Sequence, residues 1–307
     1  AWKRRDVALS PRQFAQLQEA LLPKLRLMRC SSTEVASESR RIVQITLDQR
    51  ATLLGLLASD RVLVEGSAGS GKTLLALEFA LTMASRGQRV LLLCFNRNLA
   101  QWLQEQAEAD DRSRSATGTL ELATFHAFAL SLARRARVEF EIPTDEPQFW
   151  ESEVPLILEQ AIEVLSARGM PQEFDAVVVD EAQDFAPDWW VTIESLTRGG
   201  RQGRLFAFLD LHQSLRGSAS LPPVDLPARF SLTTNCRNTK SIARSGAALA
   251  RAEVTILPGS PEGELPGVRR ARTEVADAGI VLSEVRRLLS EEIEARQIAL
   301  IGPSAHE

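Results

Sequence analysis

Residues 66–73 read GSAGSGKT, a glycine-rich loop that few folds can accommodate. An apolar run at residues 61–65 precedes the loop, and a helix-forming stretch at residues 74–84 follows it. A loop between a strand and a helix turns backbone N–H groups toward a phosphate, and the helix dipole favours negative charge there. The loop therefore predicts a nucleoside triphosphate site. A simple glycine-rich turn is the alternative, and the Lys-Thr pair at the loop's end argues against it.

The residues of this loop, known as a Walker A sequence, have separate expected roles. Lys72 is expected to reach the β and γ phosphates, and Thr73 is expected to offer its hydroxyl to Mg²⁺. The expected cofactors are therefore ATP and Mg²⁺. The predicted nucleotide-binding loop consists of Gly66, Ser67, Ala68, Gly69, Ser70, Gly71, Lys72 and Thr73.

A second chemical signal lies at residues 177–181, where three valines precede Asp180 and Glu181. An apolar strand that ends in two carboxylates is a Walker B arrangement. Asp180 is expected to hold the Mg²⁺ shell, and Glu181 is expected to orient or deprotonate the attacking water. An acidic loop after a strand is the alternative, but the Walker A loop upstream favours the catalytic interpretation.

Composition limits the remaining function classes. The chain has 307 residues, of which 44% are hydrophobic, and its length predicts about two domains. Its formal charge of −4 argues against attraction of nucleic acid to the whole surface, so such binding would be local. The three cysteines form no CxxC pair, and no apolar run approaches the length of a membrane span. We therefore predict a cytoplasmic protein with no membrane partner.

Strand and helix signals alternate from about residue 46 onward, which predicts an α/β fold with a parallel sheet of the P-loop NTPase type. Residues 1–45 combine a helical segment with a polar linker. The predicted strands lie at residues 61–65, 89–95, 120–124, 175–180, 204–209, 229–233, 267–272 and 297–301.

The sequence DEAQD at residues 180–184 resembles the second motif of UvrD/Rep-like helicases of superfamily 1. The resemblance implies a RecA-like, doubly wound parallel sheet followed by a second, partial RecA-like domain. The first domain would span residues 46–225, with a small helical insertion at about 138–172, and the second would span 226–307. Motifs V and VI would lie beyond the chain, and a nuclease-related domain would precede it, as in some bacterial helicases of this type.

Gln49 has two possible roles. It resembles the glutamine of the family's Q motif, which reads the adenine edge. However, Thr46 and Gln49 also have the spacing of a helix capping box, in which the glutamine side chain turns back onto the backbone. Adenine contact requires that Thr46 alone provide the cap.

Two further segments are similar to family motifs that contact single-stranded nucleic acid. Asn96 and Arg97 lie in the segment similar to motif Ia. The segment Ala123-Thr124-Phe125-His126 resembles the TFH motif, which implies contacts by Thr124, Phe125 and His126. Phe125 could equally belong to the core, and His126 could be a helix-terminal residue.

Two more residues complete the catalytic set that the resemblance implies. Gln213, in a segment similar to motif III, would sense the γ-phosphate. Arg237, in a segment similar to motif IV, would be an arginine finger, although a surface arginine is the alternative. This chain departs from the family pattern where aromatic residues usually stack on bases or adenine. Leu215-Arg216-Gly217 follow Gln213-Ser214, and Cys236 replaces the tyrosine of motif IV.

The predicted function is ATP-dependent translocation along single-stranded nucleic acid, with DNA the expected form. The main alternative is a regulatory ATPase switch or a nucleic-acid binding module that never unwinds a duplex. The missing aromatic residues and the acidic net charge motivate this alternative. A third possibility is that this chain binds ATP without turning it over, because its second domain is incomplete.

Overall fold

The computed structural model describes residues 55–112, 116–143, 148–210, 221–250, 253–267, 274–291 and 293–300. The described residues form two compact units, one within residues 48–233 and the other within residues 234–307. No described helix is both long and apolar enough to cross a bilayer. The predicted segment at residues 1–45 and the predicted strand at 268–272 lie outside the described residues.

The first unit is built around a six-stranded sheet in which all neighbouring strands are parallel. Across the sheet, the strands follow in the order 119–124, 89–94, 176–179, 204–209, 61–66 and 228–232. This arrangement confirms the predicted α/β fold of a P-loop NTPase. The strands are β1 (Arg61–Gly66), β2 (Arg89–Cys94), β3 (Thr119–Thr124), β4 (Ala176–Val179), β5 (Arg204–Leu209) and β6 (Ala228–Leu232).

Along the chain, helices join the first five strands to one another, as crossover connections between parallel strands require. Short 3₁₀ turns lie at Gly55–Ala58, Ala182–Asp184 and Gly200–Gln202. The helices of this unit are α1 (Lys72–Ser85), α2 (Arg97–Ala109), α3 (Phe125–Ala136), α4 (Val154–Ala167) and α5 (Trp189–Ser195).

The central strands are continuous apolar runs, and successive residues of a strand point to opposite sides of the sheet. Both faces of the sheet are therefore apolar. On one face, Leu91 and Val177 belong to a core that includes residues of α3, α4 and α5. On the other face, Leu92 and Val178 belong to a core that includes residues of α1 and α2. Burial of apolar surface, worth about 25 cal/mol per Å², holds the strands in register and fixes where their ends lie.

A single turn of π-helix, Phe149–Glu153, lies within the predicted insertion and leads directly into α4. Its backbone carbonyl groups accept hydrogen bonds from side chains elsewhere in the unit. The Trp150 carbonyl lies 3.0 Å from Nε2 of His126, and the Glu151 carbonyl accepts from Nε1 of Trp189 at 2.9 Å. The insertion is therefore tied to the first residues of α3 and α5.

A buried arginine at the start of β1 joins distant segments of the same unit. The Arg61 guanidinium pairs with the Glu194 carboxylate and donates to the carbonyl groups of Gly203 and Asp225. The side chains of Arg61 and Glu194 are only 8% and 13% exposed. This contact ties β1 to the segments on both sides of β5.

The strand at residues 228–232 pairs with β1 and completes the first sheet. This strand follows the predicted domain boundary at residue 226, and its backbone hydrogen bonds lie within the first compact unit, which ends at residue 233. The domain boundaries stay predictions.

The second unit begins with β7 (Thr234–Asn235), which pairs in parallel with β8 (Thr255–Ile256). Its helices are α6 (Lys240–Ala250) and α7 (Glu274–Ser290). The strand predicted at 297–301 does not form within the described residues 297–300. Residues Ala295–Gln297 instead form a 3₁₀ turn, in which Gln297 caps the backbone of Glu294.

Candidate functional site

The carboxyl ends of the parallel strands meet at one edge of the sheet, where open α/β sheets bind their ligands. β1 ends at Gly66 and leads into the Walker A loop. β4 delivers Asp180 and Glu181, and β5 delivers Asp210 to the same edge. The structure therefore brings the predicted Walker A and Walker B residues together.

The backbone of the Walker A loop favours glycine for two reasons, a left-handed conformation and a close approach to neighbouring atoms. Gly71, immediately before α1, has φ 89°, a left-handed conformation that side chains disfavour. A Cβ atom on Gly66 would lie 2.5 Å from Oγ of Ser70 and 3.0 Å from Cβ of Leu232. The first helical bond joins Leu75 N–H to the Gly71 carbonyl. The N–H groups of residues 72–74 thus precede the helical ladder and suit an anion.

Lys72 is buried inside its own loop. Its ammonium group donates to the carbonyl groups of Gly66 at 2.8 Å and Ser67 at 3.1 Å. It also lies 3.4 Å from Oδ2 of Asp210. A cationic group held at the mouth of an N–H-rich loop is suited to pair with phosphate oxygens.

Asp180 is the most deeply buried carboxylate of the site, with 0% exposure. Neither of its oxygens has a hydrogen-bond partner among the described residues. Burial and, to a lesser extent, the neighbouring Glu181 charge together raise the pKa of Asp180 to about 7, although the nearby Thr73 hydroxyl, the Glu181 backbone and Lys72 act in the opposite direction. Buried oxygens without a partner are costly unless a proton or a cation compensates them. This donor set fits Mg²⁺, which prefers carboxylate and hydroxyl oxygens.

Glu181 follows in a left-handed backbone conformation, with φ 52° and ψ 45°. This conformation is uncommon for a residue with a side chain. Gln183 lies in the next turn and donates from Nε2 to Oε2 of Glu181 at 2.6 Å. The Glu181 carboxylate is therefore held next to Asp180 at the end of β4.

Cys94, at the end of β2, is a buried neutral thiol beside these acids. Burial raises the pKa of Cys94 to about 12, and the charges of Asp180 and Glu181 act in the same direction. Because the thiolate is the reactive form, this cysteine is suited to packing rather than to nucleophilic chemistry.

Comparison with known protein families agrees with this geometry. Residues 59–216, slightly more than half of the chain, match the family described as Schlafen group 3, DNA/RNA helicase domain. The chain belongs to this helicase-domain family. The match spans the Walker A loop, the Walker B residues and Asp210, so the helicase-like part of the predicted resemblance is supported. No curated protein matches the chain.

The family identifies nucleic acid as the class of partner and ATP as the expected nucleotide. Two predicted nucleic-acid contacts lie directly after β2 of the helicase domain. Asn96 caps α2, because its side chain accepts from the N–H groups of Asn98 and Leu99. Arg97 is exposed at the first position of that helix. Of the two side chains, Arg97 is the better placed to meet a phosphate in solution.

The other three predicted contacts lie at the end of β3. Thr124 is buried and caps α3 by accepting from the N–H group of Ala127. Phe125 is completely buried, and its ring stacks on Trp189 with a centroid distance of 4.5 Å. His126 is half-buried and packs edge-on against both Phe125 and Trp150. The Phe125 side chain therefore belongs to the core, as the structural alternative proposed, and His126 is the more accessible of the two.

The structure describes only one of the three remaining predicted residues. Arg237 is an exposed residue of the second unit, in a turn where the N–H group of Asn238 donates to Oδ1 of Asn235. Its neighbour Cys236 is completely buried. Gln49 and Gln213 lie outside the described residues.

Sequence reasoning assigned no role to Gln183. For Asp210, the resemblance to motif III implied a part in coupling the γ-phosphate to polynucleotide contact, but it gave no partner for the carboxylate. Both are present in the motifs that carried the resemblance, at the fourth position of DEAQD and at the end of the fifth strand. Gln183 and Asp210 are 27 residues apart in the chain, and they become adjacent only when β4 pairs with β5.

Proposed function

We propose that this helicase domain is an ATPase that couples Mg-ATP hydrolysis to movement along single-stranded nucleic acid, in the manner of UvrD/Rep-like superfamily 1 helicases. The observation that carries the proposal is the meeting of Lys72, Asp180 and Glu181 at one sheet edge, with the Asp180 carboxylate buried and unpartnered among the described residues. DNA is the expected strand.

Thr73 and Asp180 are the residues that would hold Mg²⁺, and Gly66 to Thr73 would surround the phosphates. The ion would supply positive charge to the phosphate oxygens. Lys72 would add a second positive charge, and the N–H groups at the start of α1 would orient the triphosphate. The protein therefore offers positive charge where negative charge develops during phosphoryl transfer.

Glu181 would orient or deprotonate the attacking water, because it is the half-buried carboxylate next to the buried Asp180. Gln213 would sense the γ-phosphate, Arg237 would act as the arginine finger and Gln49 would contact adenine. Of the five predicted nucleic-acid contacts, Asn96, Arg97 and His126 would line the path of the strand, whereas the side chains of Thr124 and Phe125 are buried. The exposure of Arg97 and the half-burial of His126 favour these two for direct contact.

Lys72→Ala should abolish tight ATP binding, because the phosphates lose their principal side-chain cation. Glu181→Gln should preserve binding and lower kcat by about a thousandfold, because it removes the group that activates water. Both effects are measured by nucleotide titration and steady-state hydrolysis. Unchanged turnover in Glu181→Gln would contradict the assignment of the base.

Arg237→Ala should slow hydrolysis with little change in nucleotide affinity, because an arginine finger acts on the transition state. Arg244→Ala is a matched control, since Arg244 is 60% exposed on α6 of the same unit. Equal turnover in the two variants would remove Arg237 from the catalytic set.

The decisive experiment is ATP hydrolysis with and without single-stranded DNA or RNA, at low and moderate salt. A translocase should hydrolyse ATP much faster with the strand present, and the stimulation should weaken as salt rises. A rate that ignores both nucleic acids would instead support a regulatory ATPase switch. The cysteine at position 236 favours that alternative, since this position offers no ring to stack on adenine.

A further inference from the structure

Gln183 makes two side-chain hydrogen bonds that join the ends of neighbouring strands. Its Nε2 donates to Oε2 of Glu181 at 2.6 Å. Its Oε1 accepts from the backbone N–H group of Asp210 at 3.0 Å. The side chain is nearly buried, with 5% exposure. One amide therefore spans from the Walker B residues after β4 to the residue that ends β5.

The orientation of this amide follows from its partners. An N–H group can only donate, so it must face the amide oxygen, whereas a carboxylate accepts and must face the NH₂ group. A flipped amide would place two donors together at Asp210 and two acceptors together at Glu181. The two contacts thus exclude the alternative orientation, and they specify glutamine rather than glutamate at this position.

Asp210 extends this connection to the Walker A loop. Its backbone N–H group bonds to Gln183, while its carboxylate lies 3.4 Å from the ammonium group of Lys72. Lys72 and Asp210 are both buried. A continuous set of contacts therefore runs from Lys72 through Asp210 and Gln183 to Glu181.

We propose that Gln183 is a positioning residue that holds the Glu181 carboxylate in its water-activating orientation and keeps it in register with Lys72. This inference rests on the proposed function, since it requires Glu181 to be the group that acts on water. Gln183 would act through Glu181 rather than on the phosphates or the water directly.

The geometry explains why such a residue is needed. A glutamate side chain has three rotatable bonds, and fixing it costs conformational entropy unless a partner restrains it. Because Gln183 bonds to Oε2, the other carboxylate oxygen of Glu181, Oε1, would be the one to accept a proton from the attacking water. Small errors in the position of a catalytic group can cost as much as about a hundredfold in rate.

The test is Gln183→Met, which keeps the side-chain length and removes both hydrogen bonds. We expect kcat to fall about tenfold, while the dissociation constant of a non-hydrolysed Mg-nucleotide stays within about twofold. Gln172→Met is the matched control, because Gln172 is also 5% exposed and donates to a backbone carbonyl, that of Met170. It should leave kcat unchanged. An unchanged kcat in Gln183→Met would overturn the proposal.

Gln183→Glu separates the two hydrogen bonds. The new side chain keeps an oxygen that can accept from the Asp210 N–H group. It replaces the NH₂ group that faces Glu181 with a carboxylate oxygen, which cannot donate when ionised. The proposal expects a loss of kcat at least as large as that of Gln183→Met. A kcat equal to that of the unaltered chain would show that the contact with Glu181 has no role in the reaction.

A double variant distinguishes positioning from general structural support. In a Glu181→Gln background, Gln183→Met should cause no further loss of single-turnover rate, because the group that it positions is already gone. An equal further loss would overturn the proposal. If Glu181→Gln alone fails to slow hydrolysis, the proposed function loses its base and this inference falls with it.

Nuclear magnetic resonance provides a readout that does not depend on turnover. In the nucleotide-free chain, Glu181→Gln should shift the side-chain amide signals of Gln183, which are assigned by their loss in Gln183→Met. Signals that do not move would exclude the hydrogen bond in solution. This result would overturn the positioning role and leave the ATPase assignment intact.

Discussion

The ammonium group of Lys72 lies 3.4 Å from the carboxylate of Asp210, and neither side chain is more than 7% exposed. In this buried ion pair, the Asp210 carboxylate contacts the ammonium group that phosphate oxygens would otherwise contact. Asp210 and a bound triphosphate would thus compete for the same cation. When a buried charge loses its partner, the folded state is destabilised by several kcal/mol, unless another opposite charge replaces that partner.

Asp210→Asn should therefore lower the melting temperature of the nucleotide-free chain and enlarge the stabilisation produced by ADP or ATP. The bound phosphates would restore the charge that the substitution removes. Thermal unfolding with and without nucleotide measures both effects. Asp175→Asn is the control, because Asp175 pairs with the exposed Arg198 and should leave the ligand-induced shift unchanged.

Asp180 should make stability depend on pH without Mg²⁺. Its pKa in the folded chain is about 7, above the ordinary value of 3.8. Burial favours the protonated form of Asp180, so its contribution to the free energy of unfolding is fully present below pH 3.8, the ordinary pKa. This contribution is lost as pH rises through about 7, the pKa in the folded chain. The loss attributable to Asp180 reaches at most about 1.4 kcal/mol per pH unit.

Urea unfolding of the unaltered chain and of Asp180→Asn at pH 5, 6, 7 and 8 measures this effect. The variant should gain stability relative to the unaltered chain as pH increases. A constant difference between them would contradict the raised pKa. Mg²⁺ with nucleotide should bind better at the higher pH values, because the carboxylate must lose its proton to hold a cation.

Arg61→Met should destabilise the chain by about 3 kcal/mol, because it leaves the Glu194 carboxylate and two carbonyl groups without their buried partner. Arg198→Met is the comparison. Arg198 is 62% exposed, and its pairing with Asp175 should contribute less than about 1 kcal/mol. Urea unfolding of both variants measures the difference, and similar losses would contradict this explanation.

Arg97→Ala should weaken binding of a single strand and reduce the salt dependence of that binding by about one phosphate contact. Its stability should not change, since the side chain is exposed at the start of α2. Fluorescence anisotropy with a labelled oligonucleotide at several salt concentrations measures the effect. Arg135→Ala, an exposed arginine in the last turn of α3, should bind normally.

The parts of the fold that the sequence predicted are those with strong local signals. Six predicted strands appear within about a residue of their expected ends. Four of them, β1, β2, β4 and β5, are apolar runs that are buried on both faces, whereas the edge strands β3 and β6 are only partly buried. The strands β7 and β8 have two residues each, which is too short to produce a periodic pattern. At residues 295–297, a local cap by Gln297 forms a turn where apolar residues had suggested a strand.

The chemistry of the site was predictable where a motif encodes it, as at Lys72 and Asp180. The role proposed for Gln183 was not, because it depends on which strand lies next to β4. Phe125 shows the converse difficulty. A motif suggested contact with a strand, but its ring stacks on Trp189, which lies 64 residues later in the sequence. Pairings between distant segments decide which residues of a motif face the solvent.

The left-handed backbone of Glu181 has a consequence for any effort to engineer this chain. Glycine and asparagine adopt φ 52° more readily than glutamate, so Glu181→Gly or Glu181→Asn should relieve backbone strain. Both substitutions would remove the carboxylate proposed to act on water. A library screened only for heat resistance would therefore enrich inactive proteins at this position, and selection for turnover must be applied in the same experiment.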